Sequence, residues 1–119
     1  MHTIMPGMVT KAGQAIMPFG VMGGDYQPVG HVHFLTNLLD FGMDLQEALD
    51  LARVFYEDGT VGAEAGVPAE TIGKLKKCGH NVVPATEPFG GGQAIWIDHE
   101  HGTLTGASDP RKDGCALGF

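Results

Sequence analysis

Apolar and polar residues change their spacing several times along this chain, and each change marks an element. Two β-prone runs, G-M-V-T at 7–10 and A-I-M-P-F-G-V at 15–21, flank K-A-G-Q, whose Gly13 supplies the positive φ that a tight hairpin needs. A β-hairpin is predicted over residues 7–22. Pro18, inside the second run, cannot donate to a ladder and belongs at an edge or a bulge. The spacing then becomes helical: Val29, Val32, Leu35, Leu38 and Leu39 recur at threes and fours, Phe34 and Phe41 widen the stripe, and a first helix is predicted over 27–41. Pro28 suits its first turn, and Gly42 suits the left-handed position past its end.

Asp44 with Glu47 three positions on is a capping-box pattern that opens a second helix over 45–52. Residues 53–66 read as extended chain broken by Gly59 and Gly62. A third helix over 68–78 starts on Pro68, sets Ile72, Leu75 and Lys76 in register and stops at Gly79. N-V-V at 81–83 is a short strand, and residues 91–108 form a second hairpin turning at H-E-H-G. Trp96 alternates with Ile95 and Ile97, which buries at least one face and gives Trp96 a core role. Two β-hairpins and about three helices in this order make an α+β fold, with no βαβ regularity and no repeats.

Length and charge narrow the field. A chain of 119 residues is one compact domain or a piece of a larger protein. Its 7 basic and 14 acidic residues give a net charge of -7, which repels phosphate backbones and anionic lipid surfaces, so neither nucleic acid nor membrane is an expected partner. No apolar run approaches the ~18 to 20 residues of a membrane span, and residues 1–30 lack the basic-then-apolar order of a secretory signal. Cytoplasm and periplasm both stay open. Cys78 and Cys115, with no C-x-x-C pattern, suit two buried thiols, or else one disulfide.

The stretch G-V-M-G-G-D-Y-Q-P at 20–28 sets two glycines where a strand hands over to a helix. Amides at a helix start have no intrahelical partners, and the aligned peptide dipoles make that end partly positive. Without a Cβ at 23 and 24, a developing oxyanion can approach them closely. The alternative is a Gly-Gly turn that only changes the chain's direction, and the residues alone leave both open. An N-cap role is open to Asp25.

Other candidates weaken on inspection. G-G-G at 90–92 lacks phosphate-loop spacing and precedes a strand, so it is expected to be a flexible connection. His31 and His33, two apart on a helix, point away from one another and cannot share a metal. Asp98, His99, Glu100 and His101 fall in the predicted hairpin tip, where solvated turn residues are the expected case. No metal and no cofactor are expected, although a metal-binding protein using the six histidines is one rival class and a free-standing interaction module another.

The tail G-A-S-D-P-R-K-D-G-C-A-L-G-F at 106–119 resembles the carboxyl end of the gamma-glutamyltranspeptidase family. M-G-G at 22–24 is similar to that family's P-G-G turn, half of its oxyanion hole. L-L-D-F-G-M-D-L-Q-E-A-L at 38–49, A-R-V-F at 52–55, C-G-H-N-V-V at 78–83 and G-G-Q-A-I-W-I-D at 91–98 carry the likeness along the whole chain. Asp25-Tyr26 stands where Ser-Arg is common, which is closer to the family's transpeptidase-like members than to its best-known branch.

The resemblance implies a partial αββα sandwich of the N-terminal nucleophile hydrolase type. It implies a precursor that cleaves itself to expose a threonine, which attacks a gamma-glutamyl amide such as that of glutathione and passes the acyl group to water or an amino acid. The processing site and the substrate-side serines are absent here, and Thr3 falls beyond the nucleophile position. The chain is therefore expected to be the carboxyl-terminal part of a small subunit, inactive alone. Its abrupt start before a strand fits a segment of a longer chain.

The expected partners are the large subunit, the amino-terminal part of the small subunit and a small-molecule amide, with a homo-oligomer of the fragment also foreseen. Gly23 and Gly24 are the implied catalytic residues, through their amides, and Asp25 is a substrate-binding candidate toward an amine. Arg53, Asp109, Arg111 and Asp113 are expected to form an ion-pair set that fixes the tail, and Gly20 and Gly30 are assigned to packing.

Overall fold

The protein is described from a computed structural model over residues 4–119; Thr3 lies outside the described residues. In chain order the elements are β1 Pro6–Lys11, β2 Gln14–Met22, a 3-10 turn Gly24–Tyr26, α1 Gln27–Leu39, α2 Leu45–Asp50, β3 Val54–Glu57, β4 Thr60–Ala63, α3 Ala69–Lys77, β5 Val82–Pro84, β6 Gly91–Asp98 and β7 Thr103–Ser108. The fold is α+β, with two sheets and three helices. The chain groups into two compact units: one is built from the chain up to Asp50 together with Gly90–Phe119, the other from Leu51–Phe89.

The first unit holds an antiparallel sheet in the order β1-β2-β6-β7. Ala12 and Gly13, at φ 50 and 80, make the two-residue left-handed turn whose twist suits a hairpin. Pro18 faces Met8 on β1 and precedes the pairing of β2 with β6, which begins at Phe19↔Ala94, so its missing N–H costs that pairing nothing.

One face of the sheet packs on α1 and α2. Met17, Phe19, Val21, Ala94 and Ala107 bury there with Phe34, Leu45, Ala48 and Leu49. Phe19 and Phe34 meet with ring centroids 5.6 Å apart. Each such side chain contributes about 1.5–3 kcal/mol through the apolar area it removes from water. The other face is apolar and open: Met8, Met22, Ile95 and Leu104 are exposed. A groove of about 700 Å³ runs across it, lined by Ile4, Met8, Pro18, Met22 and Ile95 among others.

The buried face of α1 differs from the apolar stripe. Gln27, Gly30, Phe34 and Asn37 face inward, whereas Val29, Val32 and Leu39, with Phe41 beyond the helix, are exposed. Small and amide side chains win because the helix lies close to β2 and α2. A Cβ on Gly30 would sit 2.7 Å from Val21 Cγ1 and from Tyr26 Cε1, and Asn37 Nδ2 donates to the Ala48 carbonyl at 3.4 Å. The helix stops two residues early, because Asp40 and Phe41 turn both their N–H groups to the Thr36 carbonyl and Gly42 reverses the chain at φ 67.

The capping box forms as expected. Asp44 Oδ1 accepts from the N–H groups of Gln46 and Glu47 at 2.9 and 2.8 Å, and Glu47 Oε2 accepts from Asp44 N–H at 3.2 Å. At the other end, α2 finishes at Asp50 rather than 52. Arg111 takes up its last carbonyls there, Nη1 donating to Leu49 at 2.9 Å and Nη2 to Asp50 at 3.3 Å.

The second unit corrects two expectations. Residues 54–63 are a third hairpin rather than broken extended chain: Asp58 and Gly59, at φ 47 and 80, form its turn. Gly62 lies within β4, where a Cβ would meet Phe89 Cζ at 2.7 Å. β4 and β5 pair in parallel, with α3 as the crossover, so the fold does contain a βαβ unit. Val61, Ala63, Val67 and Val82 form its core, with Ala52, Val54, Ile72 and Leu75 packed against them. Lys74, Lys76 and Lys77 stand in the last turn of α3, where the helix dipole favours cations.

Glu64 ties the two ends of this unit together, Oε2 accepting from Arg53 N–H at 2.8 Å and Oε1 from Phe89 N–H at 2.9 Å. Arg53, itself buried, donates from Nη1 to the Phe89 carbonyl at 2.6 Å.

Cys78 and Cys115 are neither buried nor bridged: both are exposed free thiols. Cys78 occupies the C-cap of α3, past its apolar positions, and Cys115 lies in the terminal segment beyond the last strand.

Candidate functional site

The strand-to-helix junction of the first unit carries the Gly-Gly pair. β2 ends at Met22, Gly23 turns the chain at φ 130 and ψ 30, and Gly24 at φ 57 opens the 3-10 turn that runs directly into α1. Both φ values lie where side chains with a Cβ are strained. The turn closes on carbonyls: Tyr26 N–H donates to Gly23 O at 3.1 Å, and Gln27 donates to Gly24 O from its backbone N–H and from Nε2, the latter at 3.2 Å. Neither the Gly23 nor the Gly24 N–H donates to a protein acceptor among the described residues.

The two glycines have different surroundings. A Cβ on Gly23 would lie 2.9 Å from Gly90 Cα, so close backbone packing as well as φ demands glycine there. A Cβ on Gly24 would meet nothing within 4 Å. Gly24 is the position that a ligand can approach.

Asp25 is exposed in the first turn and makes no capping hydrogen bond, so the N-cap role falls away. Its carboxylate has the same sign as an oxyanion and opposite sign to an amine, which restricts what it can bind.

G-G-G at 90–92 is an anchored corner rather than a flexible connection. A Cβ on Gly90, at φ 64, would collide with the Met22 carbonyl and with the Tyr26 ring, and one on Gly92 would sit 2.5 Å from Leu49 Cδ2. Gly92 is also tied to Asp109 of the tail by two bonds: its N–H donates to the side-chain Oδ2 at 2.9 Å and its carbonyl accepts from the Asp109 backbone N–H at 2.9 Å.

Of the expected tail set, the Asp109–Arg111 pair is formed. Asp109, fully buried, pairs with Arg111 at 3.1 Å. Asp113 is exposed and makes no ion pair among the described residues, and Arg53 is engaged within the second unit. Gly30 is needed for packing, whereas the nearest atom to a Cβ on Gly20 would be Met5 O at an ordinary 3.7 Å.

The histidines have local duties. His31 Nε2 accepts the Val21 N–H at 3.0 Å, and burial lowers its pKa from the usual histidine value. His99 Nε2 lies 2.8 Å from the Ala15 carbonyl. Asp98 accepts from the N–H groups of His101 and Glu100 and from the His101 ring; these bonds, the His101 backbone one first, hold its carboxyl below the usual carboxylate range. Among the described residues no three His, Cys, Asp or Glu side chains come together as a metal ligand set.

His31 and Gly90 are the neighbours that sequence reasoning missed. His31 meets a backbone group ten residues away and Gly90 one much farther along the chain, so neither contact leaves a local signal.

The gamma-glutamyltranspeptidase family model matches residues 1–119, the whole chain. The chain belongs to the gamma-glutamyltranspeptidase family. Over 127 residues it is 38% identical to the glutathione hydrolase-like YwrD proenzyme of Bacillus subtilis, covering 99% of this chain and 24% of that protein. The structure of cephalosporin acylase from Bacillus halodurans matches with a TM-score of 0.87 and 41% identity, over 92% of this chain and 21% of that one. Gamma-glutamyltranspeptidase from Pseudomonas nitroreducens, in complex with L-DON, matches with a TM-score of 0.88 and 26% identity, over 100% of this chain and 63% of that one. The chain thus spans about a quarter or less of the length of the curated relatives that it matches. These matches give the α+β fold its place among gamma-glutamyltranspeptidase structures of the N-terminal nucleophile type.

Proposed function

We propose that this chain is the carboxyl-terminal part of the small subunit of a gamma-glutamyltranspeptidase-like amide hydrolase or acyltransferase, and that Gly23 and Gly24 supply oxyanion amides to it. The observation that carries the reading is the pair of uncommitted N–H groups at a strand-to-helix junction, with Gly24 open to approach. Attack on an amide carbon turns its carbonyl oxygen into an oxyanion, and donors already aimed at that position stabilise the charge without reorganising. The positive end of the turn and of α1 adds to them.

The threonine nucleophile and the groups that hold the acyl donor belong to the rest of the enzyme, and the chain alone is inactive. The apolar open face of the four-stranded sheet is the surface that the remainder of the enzyme, or a second copy of an isolated fragment, covers. Asp25 binds an amine of the substrate, a role that its exposure and its freedom from capping support. The relatives include a glutathione hydrolase-like protein and a cephalosporin acylase, and the substrate proposed here is a small amide of the gamma-glutamyl class.

The test is Gly24→Val in the full-length enzyme. Valine keeps the N–H, but its branched side chain is strained at φ 57 and fills the open space beside it, so the donor is no longer well aimed or approachable. Loss of a well-aimed donor slows acylation by about 100- to 1,000-fold, read as single-turnover release of an amine from a gamma-glutamyl anilide. An unchanged acylation rate removes the oxyanion role.

A further inference from the structure

We propose that His31 is a positioning residue for the Gly23–Gly24 turn, acting through the lone pair of its Nε2 on the Val21 N–H; the proposal rests on the oxyanion reading above.

The Val21 amide is a donor that the sheet leaves over. On one side β1 ends its pairing at Pro6↔Gly20, one residue short of Val21. On the other side Gly92 is the partner of Val21 on β6, and it turns its own N–H and carbonyl to Asp109. The imidazole fills this gap: Nε2 lies 3.0 Å from Val21 N, and the ring stands edge-on to Phe19, with centroids 5.0 Å apart and planes at 60°. An N–H can be accepted only by an unprotonated nitrogen, so the ring proton resides on Nδ1. Burial of the ring favours that neutral form.

The neighbouring glycine makes the reach possible. A Cβ at Gly30 would sit 2.7 Å from Val21 Cγ1, so only a bare backbone lets α1 approach β2 closely enough for the next residue to touch the strand. The resulting bond joins the last buried residue of β2 to the early part of α1. Everything between them, including Met22, Gly23, Gly24 and Asp25, becomes a closed segment fixed at both ends.

A hydrogen bond two residues before Gly23 therefore governs where the two free amides point. Loss of the acceptor leaves a strand N–H without a partner and releases one end of the turn. A misplacement of about 1 Å at an aligned site costs about 100-fold in rate.

The test uses the full-length enzyme with three substitutions: His31→Leu, His31→Asn and His31→Gln. Gln carries a non-titrating oxygen close to the place of Nε2, whereas the Asn oxygen mimics Nδ1 and falls short. The expected result is a fall of about 100-fold in kcat per titrated active site for Leu and Asn, with KM within about twofold, because an oxyanion contact acts on the transition state alone. Gln is expected to return kcat to within about fivefold of the parent enzyme. A merely structural role would track side-chain volume and stability, not this acceptor geometry.

Wild-type kcat in His31→Leu, or a Gln variant as slow as Leu, overturns the proposal while a slow Gly24→Val leaves the oxyanion reading standing. A fast Gly24→Val removes both. Should the Leu variant not fold, the 15N spectrum of the unsubstituted enzyme decides: a coupling across the hydrogen bond between Val21 N and His31 Nε2 supports the proposal, and a protonated Nε2 at neutral pH sinks it.

Discussion

Replacing Asp109 tests how the tail is held. Its carboxylate is fully buried and accepts from Gly92 N–H at 2.9 Å on Oδ2, and from Arg111 N–H at 3.0 Å and Arg111 Nη1 at 3.1 Å on Oδ1. Asp109→Ala leaves Gly92 N–H buried without its side-chain acceptor and strips Arg111 of its counter-charge. Breaking a buried ion pair from one side costs about 3–5 kcal/mol. Arg111 keeps the Leu49 and Asp50 carbonyls, which sets the expected loss at the lower end, about 3 kcal/mol. Asp109→Asn keeps the volume and one carbonyl oxygen but loses the charge, for about 1.5 kcal/mol. At about 4 °C per kcal/mol for a chain of this size, the melting point falls by about 12 °C for Ala and about 6 °C for Asn. Thermal unfolding followed by circular dichroism, with urea titration beside it, measures both. An Ala variant within about 0.5 kcal/mol of the parent, or an Asn variant less stable than Ala, refutes the reasoning, because either result means that the carboxylate does not anchor the tail.

Gly30→Val is expected to lower stability by about 1–3 kcal/mol, since its side chain must displace Val21 Cγ1 and Tyr26 Cε1 from 2.7 Å; a melting point equal to the parent's would show that α1 has room to spare. The pH response follows from His31. Its folded pKa lies below the ordinary value, so its contribution to stability is fully present above about pH 6.5 and is lost as the pH falls through the folded value. Urea midpoints taken from pH 8 down to pH 5 should decline, and the decline should flatten in His31→Gln. A parallel decline in both proteins assigns the acid sensitivity to another group.

The amino-acid sequence by itself determined the local events. Gly13 marks the first hairpin turn, Asp44 and Glu47 open α2, Gly42 and Gly79 follow helix ends, and residues 91–108 fold back at H-E-H-G. Each depends on backbone strain or on hydrogen bonds within about four residues, which a short window of sequence contains. The family was legible too, from ordered motifs along the whole chain. So was the Gly23–Gly24 pair as a candidate, because two glycines at a strand-to-helix junction are a backbone statement in themselves.

Only the tertiary structure decided which side of α1 is buried. The hydrophobic stripe pointed to Val29 and Val32, but close approach to β2 selects the face with Gly30, and hydrophobicity carries no information about backbone separation. The same holds for the parallel pairing of β4 with β5, the collapse of G-G-G onto Met22 and Tyr26, and the Asp109 anchor on Gly92. It holds most clearly for His31, whose partner is a backbone amide that becomes available only because β1 ends where it does. A turn needs its own few residues; a lock between a helix and a strand needs the whole sheet to exist first.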